Sequence, residues 1–166
     1  MRKRQVLIAL AAAPLAACGF RLRGVPQFAF RSLYVQAPAG SALARELMRT
    51  LQGSGGSLTL ITDAAQKPQA EVVLELLSEE HDRIAVGMSA AGQVRELQLR
   101  LRIRFRLRDQ QGREWLGETE LQQQRDISYN ETLALSKEGE EAMLYRNMRS
   151  DLVQQLMRRL AVAKAP

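Results

Sequence analysis

The single histidine, His81, lies in the run Glu79-Glu80-His81-Asp82, whose imidazole and carboxylates are the side-chain types that ligate metals or move protons. The spacing argues against both. Neighbouring residues of an extended strand point to opposite faces, so the four cannot converge, and a solvated hairpin edge is the simpler reading. Ser-His-Asp catalysis would have to use the same His81, yet no Gly-x-Ser-x-Gly turn exists. Glu138, Glu140 and Glu141 fall at an expected helix start, where carboxylates complement the dipole. Gly53-Ser54-Gly55-Gly56 lacks the Gly-Lys-Ser/Thr that completes a phosphate loop. With one His and one Cys there is no material for a conventional zinc site, a CxxC redox pair or an internal disulfide. The chain reads as a non-enzyme without cofactor or metal.

The one cysteine has a different chemistry in prospect. Arg2-Lys3-Arg4, the apolar run Val6 to Ala13 and Leu15-Ala16-Ala17-Cys18 follow the order of a secretory signal. The apolar run is far shorter than the 20 or so residues of a membrane span. Leu-Ala-Ala-Cys resembles the bacterial lipobox, which implies cleavage before Cys18, a diacylglycerol on its thiol and a third acyl chain on its amine. Two or more chains anchor a protein stably. Gly19 follows, where an Asp would favour inner-membrane retention, so the expected location is the outer membrane on its periplasmic side. Three segments follow: a signal peptide over 1–17, a lipidated tether over 18–30, and one domain over 31–166.

Composition agrees with that division. The 166 residues are 46% hydrophobic, 25% charged and 5% aromatic, too apolar for disorder and too evenly polar for several membrane spans. Removing residues 1–17 leaves 149 and lowers the formal charge from +6 to +3, because Arg2, Lys3 and Arg4 depart. Such a mild excess gives no ground for a nucleic-acid partner.

Gly24 and Pro26 interrupt the tether, and Ser32 to Gln36 reads as a strand. Leu43, Leu47 and Leu51 recur at helical spacing between a Ser41 cap and Gly53. Leu58 to Thr62 makes a second strand, and Glu71 to Leu77 begins a third that continues raggedly to Val86. From Leu97 to Arg108 the period is two, with Leu97, Leu99, Leu101, Ile103, Phe105 and Leu107 on one face and Arg100, Arg102, Arg104, Arg106 and Arg108 on the other. Gln110-Gln111-Gly112 suits a three-residue hairpin that pairs Asp109 with Arg113. Carried onward, that register sets Leu107 against Trp115, Leu101 against Leu121, Arg104 against Glu118 and Arg102 against Glu120. The returning strand reaches about Tyr129, Asn130 to Ser136 links, and a helix runs from about Lys137 to Ala163. Leu144, Met148, Leu152, Leu156 and Leu160 form its buried stripe. The expected fold is α+β, a two-layer sandwich with a mostly antiparallel sheet of about four strands and two helices on one face.

The arginine face has two readings. It is a solvated surface neutralised by Glu114, Glu118 and Glu120, or a row of bidentate donors for lipid phosphates.

Cys18-Gly19-Phe20-Arg21-Leu22-Arg23-Gly24 resembles the Cys-Gly-(aromatic)-x-Leu-Arg start of the LPS-assembly lipoprotein family LptE. The element order, the segment Ala134 to Met143 and Arg158-Arg159-Leu160 are similar to that family too. The resemblance implies a lipoprotein that plugs the barrel of LptD in a one-to-one complex, assists its assembly, and binds lipopolysaccharide on its way to the outer leaflet. It also implies basic contacts on the turn after the third strand and just before the last helix. Lys137 matches the second position. The turn Met88 to Gly92 carries no cation, the nearest being Arg83 and Arg95. Arg100, Arg102 and Arg104 are the other expected phosphate contacts. The alternative is a periplasm-facing lipoprotein that binds another envelope ligand or assembly factor, and co-purification with a large barrel separates the two.

Overall fold

In the computed structural model, residues 26–130 and 134–166 are described. The signal segment, Cys18 and the tether through residue 25 lie outside them, as do residues 131–133 of the expected link. In chain order the elements are β1 (Ser32–Gln36), α1 (Ala42–Gly53), β2 (Thr59–Ile61), a 3-10 helix (Ala64–Gln69), β3 (Val72–Met88), β4 (Val94–Asp109), β5 (Glu114–Ser128) and α2 (Ala134–Val162). The sheet order is β2-β1-β3-β4-β5. β1 lies parallel to β2 and β3, and the rest is antiparallel. The fold is the expected α+β sandwich, with five strands rather than about four. The second strand expected over Leu58 to Thr62 is the three-residue β2 at the sheet's edge.

Local chemistry explains each boundary. Ser41 caps α1, its Oγ accepting from Ala44 N at 3.0 Å, and Leu43, Leu47 and Leu51 are buried beneath the helix. The β4–β5 turn closes as its sequence demands, with Asp109 N donating to Arg113 O at 3.0 Å and Gly112 at φ +81°. All six apolar residues from Leu97 to Leu107 are buried on the helix side of β4. They meet Met148, Leu152, Val153, Leu156 and Leu160 of α2 in a core shared with α1 and Leu33.

The register beyond the turn corrects the expectation. Arg108 faces Glu114 as the hairpin requires, but Leu107 faces Leu116 and Phe105 faces Thr119. Two successive bulges each insert one residue into β5. Leu101 therefore opposes Gln123, Ile103 opposes Leu121, Arg104 opposes Glu120 and Arg102 opposes Gln122. A displacement of two residues preserves which face each side chain occupies, so the inside-outside pattern survives the error. Bulges carry no obligatory residue, and this pair left no mark in the alternation.

β3 is one strand through Met88, irregular as expected, with register shifts between Leu76 and Ser78, Ala85 and Gly87, and Gly87 and Met88. The extra residue, Leu77, reverses the strand's facing. Val72, Leu74 and Leu76 lie opposite Asp109, Leu107 and Phe105 on the helix side, whereas beyond Leu77 it is Glu79, His81 and Arg83 that oppose Ile103, Leu101 and Leu99. Glu80 and Asp82 turn to the outer face, beside the arginines.

The molecule is long. β4, at 16 residues, spans about 54 Å. Its proximal end holds Pro26 to Phe30, the β4–β5 turn and the last turns of α2. Its distal end holds the β3–β4 turn, the end of β5 and the start of α2.

Candidate functional site

On the outer face of the sheet four of the five arginines from Arg100 to Arg108 meet carboxylates, chiefly from β3. Arg106 Nε donates to Glu75 Oε2 at 2.6 Å, and Arg108 donates to Glu75 Oε1 from Nε at 3.0 Å and also from Nη2. Glu75 is 5% exposed. Burial pushes its carboxyl up, but the hydrogen bonds and charges of Arg106 and Arg108 outweigh burial and hold it below the usual carboxylate value. Arg104 reaches Ser78 Oγ and Glu118 Oε1, both at 3.2 Å. Arg102 contacts Glu80 at 2.9 Å and Asp82 at 3.0 Å. Arg100 donates to Gln98 Oε1 at 3.0 Å and has no carboxylate partner among the described residues. Of the three arginines expected to meet phosphate, two are thus engaged by carboxylates and one is not. β3 is the neutralising strand, because Leu77 turns Glu80 and Asp82 outward.

Lys137 stands elsewhere, in the first turns of α2 at the distal end. Its Nζ donates to Glu140 Oε2 at 2.7 Å and Ser128 Oγ at 3.3 Å. Arg100 opposes Gln124, four residues along β5 from Ser128, or about 13 Å. Lys137 and the arginine row therefore do not form one site.

The distal end gathers a different set. Tyr129, next to Ser128, donates its N–H to Arg95 O at 2.8 Å and lies under the Arg83 guanidinium, 5.2 Å from its ring centroid. Arg83 also contacts Glu141 of α2 at 3.0 Å. Arg95 donates to Gln93 Oε1 at 2.9 Å and has no carboxylate partner among the described residues. Beside these cations Ile84, Val86 and Met88 are exposed, Met88 by 67%. Gly87 sits where a Cβ would meet Glu96 Cβ at 2.9 Å, so the two strands of this tip approach closely. The turn after the third strand and the start of the last helix thus share one end. Arg83 of β3 and Arg95 of β4 belong to it with Lys137 of α2, three elements that the fold brings to one end.

His81 and Glu79 face the helices while Glu80 and Asp82 face outward, so the acidic run divides as its alternation requires. His81 stands on the exposed hairpin edge expected for it, since β1 pairs with β3 only from Val72 to Glu75, and it packs edge-to-face on Tyr145 with centroids 5.0 Å apart. Tyr145 OH donates to Asp82 O at 2.7 Å, and burial and the charges of Glu141 and Asp82 raise its pKa. Among the described residues no His, Cys, Asp and Glu side chains gather as a metal site, and no helix is long and apolar enough to cross a membrane.

Comparison with known proteins follows the same outline. A solution structure of an uncharacterized lipoprotein B from Nitrosomonas europaea is 30% identical, covering 84% of this chain and 88% of that one with a TM-score of 0.69. A minor lipoprotein from Acinetobacter baumannii is 23% identical, covering 84% and 100%, TM-score 0.66. The rare lipoprotein B from Shewanella oneidensis is 22% identical over 78% and 93%, TM-score 0.64. The latter two show the fold. No curated protein matches the sequence. The profile of the lipopolysaccharide-assembly family LptE matches residues 30–160, nearly the whole described domain, and the chain belongs to that family.

Proposed function

We propose that this protein is an outer-membrane lipoprotein, anchored through lipid on Cys18, that plugs and helps assemble an LptD-like β-barrel in a one-to-one complex and binds lipopolysaccharide on its way to the outer leaflet. Family membership supports the assembly role. The observation that carries the lipid contact is the distal end, where the cations Arg83, Arg95 and Lys137 occupy the same end of the sheet as exposed Ile84, Val86 and Met88. Guanidinium and ammonium groups suit the phosphates of a glycolipid, and the aliphatic side chains suit its acyl chains. Arg100 is a lesser contact, and Arg102 and Arg104 reach phosphate only by releasing their carboxylates. The sheet's outer face, charged but internally balanced, suits the hydrated wall of a barrel lumen.

The test is co-purification of the acylated chain with the barrel, followed by lipopolysaccharide binding of variants. Arg95→Glu with Lys137→Glu should weaken binding, steeply so at low salt, while fold and barrel association persist. Loss instead in an Arg100, Arg102 and Arg104 variant moves the site to the sheet. A chain that recovers no barrel refutes the plug and leaves another envelope ligand or assembly factor as its partner.

A further inference from the structure

The proximal end carries a surface that neither the barrel nor the lipopolysaccharide reading uses. α1 runs from Ser41, whose Oγ donates to Glu79 midway along β3, toward this end. α2 starts beside Ser128, passes Asp82 through Tyr145 and then Glu46 of α1 through Ser150. Its 29 residues span about 43 Å, so it too terminates at the proximal end. Exposed there are Arg158, Arg159 and Lys164 from α2 and its tail, and Arg31 at the start of β1. None of the four side chains has a carboxylate partner among the described residues, whereas Arg113 at the same end is tied to Asp109 at 2.7 Å. The two helix C-termini contribute roughly half a negative charge each, which offsets about one of these cations. Val162, exposed by 69%, lies among them.

Tether length says what this end meets. Cys18 and Pro26 are eight residues apart, at most about 28 Å when extended. The sheet is about twice as long, so an acylated Cys18 holds the proximal end, and not the distal end, near the membrane.

We infer that the proximal end is a membrane-apposed surface, on which Arg31, Arg158, Arg159 and Lys164 contact the anionic phospholipid headgroups of the leaflet that receives the Cys18 acyl chains. The inference rests on the lipid-anchor reading of Cys18. The anchor supplies most of the attachment. The basic end sets the orientation, directing the distal end away from that leaflet's surface.

The experiment removes the anchor so that the surface is measured alone. The mature chain carrying Cys18→Ser is sedimented with phosphatidylcholine vesicles with and without phosphatidylglycerol. Binding should require phosphatidylglycerol and fall as salt is raised. Arg158→Glu with Arg159→Glu and Lys164→Glu should reduce it about tenfold or more. Arg95→Glu with Lys137→Glu, at the distal end, should reduce it less than the proximal triple variant does, and an equal or larger loss there overturns the inference. Arg31→Glu with Lys164→Glu, outside the helix, gives the same direction of change should the triple variant misfold by circular dichroism. Equal binding to neutral vesicles, or undiminished binding in the proximal variants, overturns the inference. A failed anchor reading appears separately, as absence of fatty-acid labelling on Cys18 in the intact protein.

Discussion

Arg104 donates to Glu118 at 3.2 Å although the residue opposite it in the ladder is Glu120. The ion pair is diagonal because the two bulges of β5 advance the register by two residues. Both side chains are about half exposed, so the contact is worth little. A double-mutant cycle on Arg104 and Glu118, read by urea unfolding, should give a coupling of about 0.2–1 kcal/mol. The same cycle on Arg104 and Glu120 should give less. The reverse ranking would contradict the bulged register.

Leu101 is fully buried between sheet and helices, and Arg100 beside it points outward. Leu101→Ala should cost about 2–5 kcal/mol. Leu101→Asp should abolish cooperative unfolding, since it places an unpaired carboxylate in the core. Arg100→Ala should cost no more than about 1 kcal/mol, the worth of one partly exposed hydrogen bond. Equal costs at the two positions would mean that the faces are assigned wrongly.

The depressed carboxyl of Glu75 links stability to pH. Its folded-state pKa lies below the unfolded value of about 4.3, so the contribution is full above that value and lost as pH falls through the folded pKa. Asp109 acts in the same sense: burial raises its carboxyl, but hydrogen bonds from the Arg113 backbone and side chain and from the Gln111 backbone bring it below its ordinary value. Melting temperature should hold at neutral pH and decline below about pH 4. Glu75→Gln should lower it at pH 7 and make the acid decline shallower. An unchanged acid limb would remove Glu75 from the account.

Cys18→Ser should abolish fatty-acid labelling and either release the protein to the soluble periplasmic fraction or leave the precursor uncleaved. Normal labelling of that variant would sink the lipobox reading. On the proposed plug reading, co-purification with the barrel should persist in that variant, because the folded domain rather than the lipid would make the contacts.

Much of the architecture was legible because it rests on periodicity. The alternation from Leu97 to Arg108 assigned both faces, and the helical stripes of Leu43 and of Met148 predicted the layer that covers them. The Asp109–Arg113 turn was legible too, since Gly112 needs its positive φ. Illegible were the places where one residue is added without a signature. Leu77 gives no warning that Glu80 and Asp82 will join the arginines, and β5 hides two more such insertions. The distal cations were named only through the family resemblance, and what the sequence did not show is how they are joined: Arg83, Arg95 and Lys137 lie apart in the chain and are linked through Tyr129, Ser128 and Glu141.

The position of β1 bears on the order of assembly. β1 lies between β2 and β3, and its first partner in β3, Val72, follows Leu33 by 39 residues. β3, β4 and β5 are joined by short turns and pair with sequence neighbours, so their contacts close at low entropic cost. The first strand of the chain therefore waits for a partner that lies far along the sequence. Pulsed hydrogen exchange during refolding should protect the amides of Leu99 to Leu107 before those of Leu33 and Val35. On the proposed lipid-anchor reading, the part of the sheet nearest the anchor is then the last to be completed, against a meander already formed.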